Sequence, residues 1–199
     1  MPPATWRTVL LTIAISAGIV VAAGAVYLYG GFFDVAATDR HWPATAWLLQ
    51  TARMRSIRMH AGDIRVPPDI DDPAKLAIGT EHFATHCVVC HGAPGVPKDD
   101  LALGMYPRPP YLPQVAGRYS DGELFWIIKH GIKMSGMPAW ADHSDDEIWA
   151  TVAFLRKLGA GMSEADYARL VQANVMHGMQ HHHDEAAPAA AAPAAPPRH

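Results

Sequence analysis

The chain has 199 residues, half of them apolar, and a formal net charge of −3, which suits a globular protein with something added and gives no electrostatic case for nucleic acid. Neither charge sign dominates enough to name a partner. With an apolar N-terminal segment and an Ala/Pro/His-rich tail set aside, roughly a hundred residues remain, enough for one small domain.

No charged residue occurs from Thr8 to Phe33. As a helix, residues 9–33 would be about 37 Å long, enough to cross the hydrocarbon core with some tilt. Trp6 and Arg7 before it, and Tyr27, Tyr29, Phe32 and Phe33 at its far end, suit the two interfaces. Ala22, Ala23, Gly24 and Ala25 offer small residues for signal cleavage, but a secretory signal has a shorter apolar core. Residues 1–33 are therefore expected to be a retained single-pass membrane anchor. Arg7 lies before the span and Arg40, Arg53, Arg55 and Arg58 follow it, so charge bias sets the orientation poorly.

Residues 34–68 read as a stalk. Within it, 41–61 lacks glycine, has its one proline near the start at Pro43, and is expected to be helical. Trp47, Leu48, Thr51 and Met54 form its apolar stripe, and Arg53, Arg55 and Arg58 make it basic. Such a helix suits anionic headgroups or a membrane subunit, and an ordinary solvated helix equally well. Pro67 and Pro68 then break regularity and mark the boundary of a domain over 69–160.

That domain is expected to open with Asp72 as N-cap and Pro73 at the first helical position, in a helix running to about residue 86. The helix leads into Cys87, Val88, Val89, Cys90 and His91. Two thiols three positions apart, followed at once by a histidine, have the spacing by which c-type haem is attached covalently. Cys87 and Cys90 are the only cysteines, so a structural zinc site lacks its second pair. A redox dithiol would belong to a βαβ pattern, which is missing. Haem c, one group bound through Cys87 and Cys90, is the cofactor this spacing implies. Haem c is attached outside the cytoplasmic membrane in bacteria, so the domain would face the periplasm from the inner membrane.

Residues 92–119 are rich in proline and glycine and read as an irregular loop. A second helix is expected over 120–130, ending at Gly131. A third begins with Ser144 and Glu147 in capping-box spacing and carries Ile148, Val152 and Leu155 on one stripe. Ser163 opens a further short helix with Tyr167, Leu170 and Val171 on one side. Met176, His177, Met179 and His181 to His183 follow. They suit copper or zinc, though a solvated, unstructured tail to residue 199 is the simpler reading of 161–199 beyond that helix.

Over about 72–158 the chain resembles the class I c-type cytochromes. The resemblance is carried by Cys87, Cys90 and His91, by the segment Gly136, Met137, Pro138, Ala139, Trp140, and by the closing helix from Trp149 to Leu158. It implies an all-α cytochrome c-like domain, here preceded by one transmembrane helix and a helical stalk. In the family the first and last helices cross near the haem motif, and Gly79, Phe83 and Phe154 match the residues that meet there. The resemblance makes Met137 the distal iron ligand opposite His91. It also makes the Pro110 and Leu112 segment the source of the carbonyl that holds the His91 ring. Met134, His130 and His143 compete for the distal position, and Met105 reads as core filler. His82 and His86 read as surface or hydrogen-bonding residues. His/Met ligation leaves iron no vacant site, which implies electron transfer with redox protein partners rather than catalysis. A haem enzyme or gas sensor with an open distal site is the alternative, and copper binding by the tail is compatible with either.

Overall fold

The computed structural model describes the backbone of residues 5–184, with side chains as far as Asn174, and its regular secondary structure is helical. Among the described residues the only β-pairing is an isolated bridge between Ala93 and Val96. Backbone contacts divide the chain into two units, residues 1–41 and 42–199.

The first unit is built on α1 (Trp6–Tyr29), with no buried residue. Its 24 residues span about 36 Å, and it is the one described helix long and apolar enough to cross a membrane.

The second unit opens with α2 (Pro43–Ala61). Its C-terminal half packs: Ile57 is 2% exposed, Ala61 is buried, and Arg58 pairs with Glu123 at 3.6 Å. Trp47 and Leu48, at the head of the expected apolar stripe, are instead exposed. The helix docks through Ile57 and Ala61 because Gly122 lets the Ala61 carbonyl approach.

α3 (Pro73–His82) begins as expected, with the Asp72 carboxylate accepting from the Ala74 N–H at 2.8 Å. It continues into a π turn, Phe83–Cys87, in which the Val88 N–H reaches back to the Phe83 carbonyl. One extra residue in a turn rotates the following side chains by about 100° around the helix axis. Cys87 and the short α4 (Val88–His91) therefore face differently from a simple continuation of α3. The proline-rich connection is not wholly irregular. It holds two single turns, α5 (Asp100–Leu103) and α6 (Leu112–Val115), and a 3₁₀ turn at Ala116–Arg118.

α7 (Asp121–His130) and α8 (Asp145–Gly159) each start with a full capping box, Ser120 with Glu123 and Ser144 with Glu147. α8 is the centre of the core, with nine buried residues between Ile148 and Leu158. It crosses α3 with the backbones in contact at Gly79, where the Phe83 and Phe154 ring centroids are 4.8 Å apart and both rings are fully buried.

α9 (Glu164–Asp184) is longer than the short helix expected from Ser163. Tyr167 packs edge-on to Phe83, and Asn174 donates to the Ala77 carbonyl at 3.2 Å, which fixes α9 to α3. The helical backbone extends through His181, His182 and His183, where an unstructured tail was expected. The Ala/Pro-rich stretch from Ala186 onward lies outside the described residues.

Candidate functional site

One open cleft lies between the proline loop, α7, α8 and the segment after α7, with about 1140 Å³ of empty space counting its solvent-facing mouth. Five of the six residues singled out from the sequence line it: Cys87, His91, Pro110, Leu112 and Met137. Cys90 is half-buried on α4 and does not form part of the wall. No disulfide joins the two cysteines. Enclosure pushes the Cys87 thiol up to about 12, with the neighbouring Cys90 adding to the effect.

His91 is fixed by the loop opposite. Its Nδ1 lies 2.9 Å from the Pro110 carbonyl oxygen, and a carbonyl can only accept, so Nδ1 carries the proton. Nε2 then keeps a free lone pair. Burial holds the imidazole below its ordinary pKa against the opposing pull of that hydrogen bond, which favours the neutral, metal-binding form. The carbonyl is itself held in place. Lys98 Nζ donates to the adjacent Pro109 carbonyl, and the Tyr111 hydroxyl donates to the Ala93 carbonyl at 2.9 Å, tying the loop to the turn after α4.

Met137 sits on a loop pinned to the end of α7. The Ile132 N–H donates to the Met137 carbonyl at 3.3 Å, and the Met137 N–H donates to Ser135 Oγ at 3.3 Å. The Trp140 N–H reaches the Lys129 carbonyl at 3.2 Å. Gly131 makes this possible. It ends α7 at φ +63°, and a Cβ there would stand 2.6 Å from the Pro138 carbonyl group.

The competing donors lie elsewhere. Met134 is 91% exposed at φ +59°, and Met105 packs its thioether on Gly136. His130 is exposed and lies tilted against the Trp126 ring. Among the described residues, Met137 is the methionine that lines the cleft. A neutral imidazole, a thioether and a thiol line one largely apolar cleft, and together they form a donor set that fits haem c.

Two features were not visible in the sequence. Arg53 and Ile57, from the helix expected to be a stalk, also line the cleft. The other is an aromatic cluster. The rings of His82, His86 and His143 each lie within 5.2 Å of the Trp140 ring, between centroids, immediately behind the Met137 loop. No three of their donors converge as a metal site.

Burial is the main reason the His82 pKa is lowered, and the neighbouring His86 and His143 lower it further. Its unfolded value is near 6.5 and its folded value lower, so its contribution to stability is complete above about pH 6.5 and is lost as pH falls below that. The melting temperature of the holoprotein should therefore drop between pH 7.5 and pH 5.5, and His82→Gln should flatten that slope. Glu147, held below the usual carboxylate range mainly by hydrogen bonds from Ser144, stays ionised across the window. An identical slope in the variant would remove His82 as the cause.

Residues 74–155 match the family model described as cytochrome c oxidase, cbb3-type, subunit III. Over 143 residues the chain is 27% identical to the quinohemoprotein alcohol dehydrogenase of Comamonas testosteroni, a match covering 64% of this chain and 18% of that protein. The chain thus spans less than a fifth of that relative's length.

Proposed function

Residues 74–155 form a class I c-type cytochrome domain that carries covalently bound haem c, and from this premise we propose a membrane-anchored, one-electron transfer protein facing the bacterial periplasm. The observation that carries the reading is the cleft shared by His91 and Met137, with the His91 proton fixed on Nδ1 by Pro110. Cys87 and Cys90 would hold the haem by thioether bonds, and His91 Nε2 and Met137 Sδ would supply its iron-binding groups. When bound, haem supplies exchange of a single electron between ferric and ferrous iron.

The chain's own groups do the rest. The Pro110 carbonyl holds the imidazole in one orientation through both oxidation states. The pinned loop from Ile132 to Trp140 keeps the thioether at its post, so no site opens for a substrate or gas. Phe83, Leu124, Ile128 and Leu155 make the inner wall apolar and exclude water, while the open mouth leaves an edge accessible to a docked partner. α1 crosses the inner membrane as the anchor. Both matched names are those of oxidoreductases, and the match covers only 18% of the dehydrogenase, which supports a role as carrier to, or electron-transfer subunit of, such a complex.

The test is the visible spectrum of the reduced, detergent-solubilised full chain before and after carbon monoxide. Haem c bands that do not move on adding the gas are the expected result. A prompt shift would mean an open or labile sixth position and would give the haem enzyme or sensor reading the lead.

A further inference from the structure

Helix α2 lies outside the segment that matches the cytochrome family, yet it supplies part of the cleft wall through Arg53 and Ile57, one helical turn apart. Ile57 is almost wholly buried and fixes the helix there. Arg53 is half-buried beside it. Another arginine of α2, Arg58, has a carboxylate partner in Glu123 at 3.6 Å. Among the described residues Arg53 has none.

The charge pattern of the whole cleft matters more than one missing pair. Its lining includes two guanidinium groups, Arg53 and Arg108, and no aspartate or glutamate. A permanently charged guanidinium, partly withdrawn from water and without a counter-charge, is unfavourable unless an anion meets it. Its planar fork is shaped for carboxylate. Haem carries two carboxylates of its own, the propionates, on the ring edge away from the vinyl-derived thioether carbons.

We infer that α2 is a working wall of the haem site and that Arg53 binds a haem propionate. The inference rests on the proposal that haem c occupies this cleft. It has an electrical consequence. A cation held against the propionate offsets the negative charge near iron and favours the ferrous state, so Arg53 raises the reduction potential. It also links the helix nearest the membrane anchor in sequence to the potential of the iron.

The experiment is potentiometric titration of the detergent-solubilised, haem-loaded full chain, comparing wild type with Arg53→Gln, Arg53→Lys and Arg55→Gln. Arg55 is exposed on the same helix and does not line the cleft, so it controls for loss of a charge in general. Arg53→Gln should shift the ferric-to-ferrous equilibrium about tenfold toward ferric, roughly 59 mV for one electron. Arg53→Lys should recover most of that shift and Arg55→Gln should produce little. An Arg53→Gln protein with intact haem c bands and the wild-type potential would overturn the role of Arg53 while leaving the haem assignment standing. Equal shifts in Arg53→Gln and Arg55→Gln would overturn it as well, since the effect would then be the general field of the helix. A wild-type chain matured without covalent haem would take down both readings together.

Discussion

Met137→Ala is expected to lower the reduction potential of the holoprotein by on the order of 100 mV and to make its ferrous form bind carbon monoxide. A thioether is a soft ligand that favours ferrous iron, so its loss favours the ferric state. Water or an added gas then competes for the vacated position. The substitution should leave the loop where it is. Ile132 and Trp140 hold that loop through backbone hydrogen bonds that alanine retains, and Gly131 still admits the Pro138 carbonyl. Met134 should not substitute, because its side chain points into solvent from a residue at positive φ. Met105 is engaged with Gly136. Met134→Ala is therefore the control, with an unchanged potential and no carbon monoxide binding. If Met137→Ala kept the wild-type potential and stayed inert to the gas, the axial assignment would fall, and the loop would have to rearrange to offer another donor.

The motif from Cys87 to His91 was legible because covalent attachment fixes its spacing, and no tertiary context is needed to read it. Helix starts were legible for a similar reason. Asp72 and Ser144 cap through atoms two and three residues away, so the signal is local. Gly79, Phe83 and Phe154 were found only through resemblance to a family, since nothing in their own neighbourhood says that two helices about seventy residues apart will cross there. What escaped notice has the same character. Arg53 looked like part of a basic surface because its place on the cleft depends on α2 docking against α7, and that docking is permitted by a glycine at position 122. The π turn at Phe83–Cys87 leaves no mark in hydrophobic spacing, although it re-aims the first cysteine. The cluster of His82, His86 and His143 forms where Trp140, at the end of the Met137 loop, meets α3 and the π turn, so two histidines that read as surface or hydrogen-bonding residues acquire a tryptophan and a third imidazole as neighbours.

Gly79→Ala tests the contact on which the whole cleft depends. A Cβ at this position would stand 1.9 Å from the Ala150 carbonyl oxygen and 2.5 Å from its carbon, both backbone atoms that no rotamer change can move. Away from such a contact, alanine for glycine in a helix would be favourable by about 1 kcal/mol. Here α3 and α8 must separate, and the Phe83 and Phe154 rings, 4.8 Å apart, must loosen with them. Overpacking of this kind typically costs about 1–3 kcal/mol, and the rigidity of the two backbones puts this case at the upper end. The expected net result is a loss of about 2 kcal/mol in denaturant unfolding of the holoprotein. Because Cys87 follows Phe83 within one π turn, incomplete haem attachment should accompany it. Gly62→Ala supplies the contrast. Its Cβ would meet nothing closer than 3.6 Å at a φ of −60°, so the same change there should be neutral or stabilising by a few tenths of a kcal/mol. If the two variants unfolded alike and both carried full haem, the backbone contact between α3 and α8 would not be what sets the shape of the site.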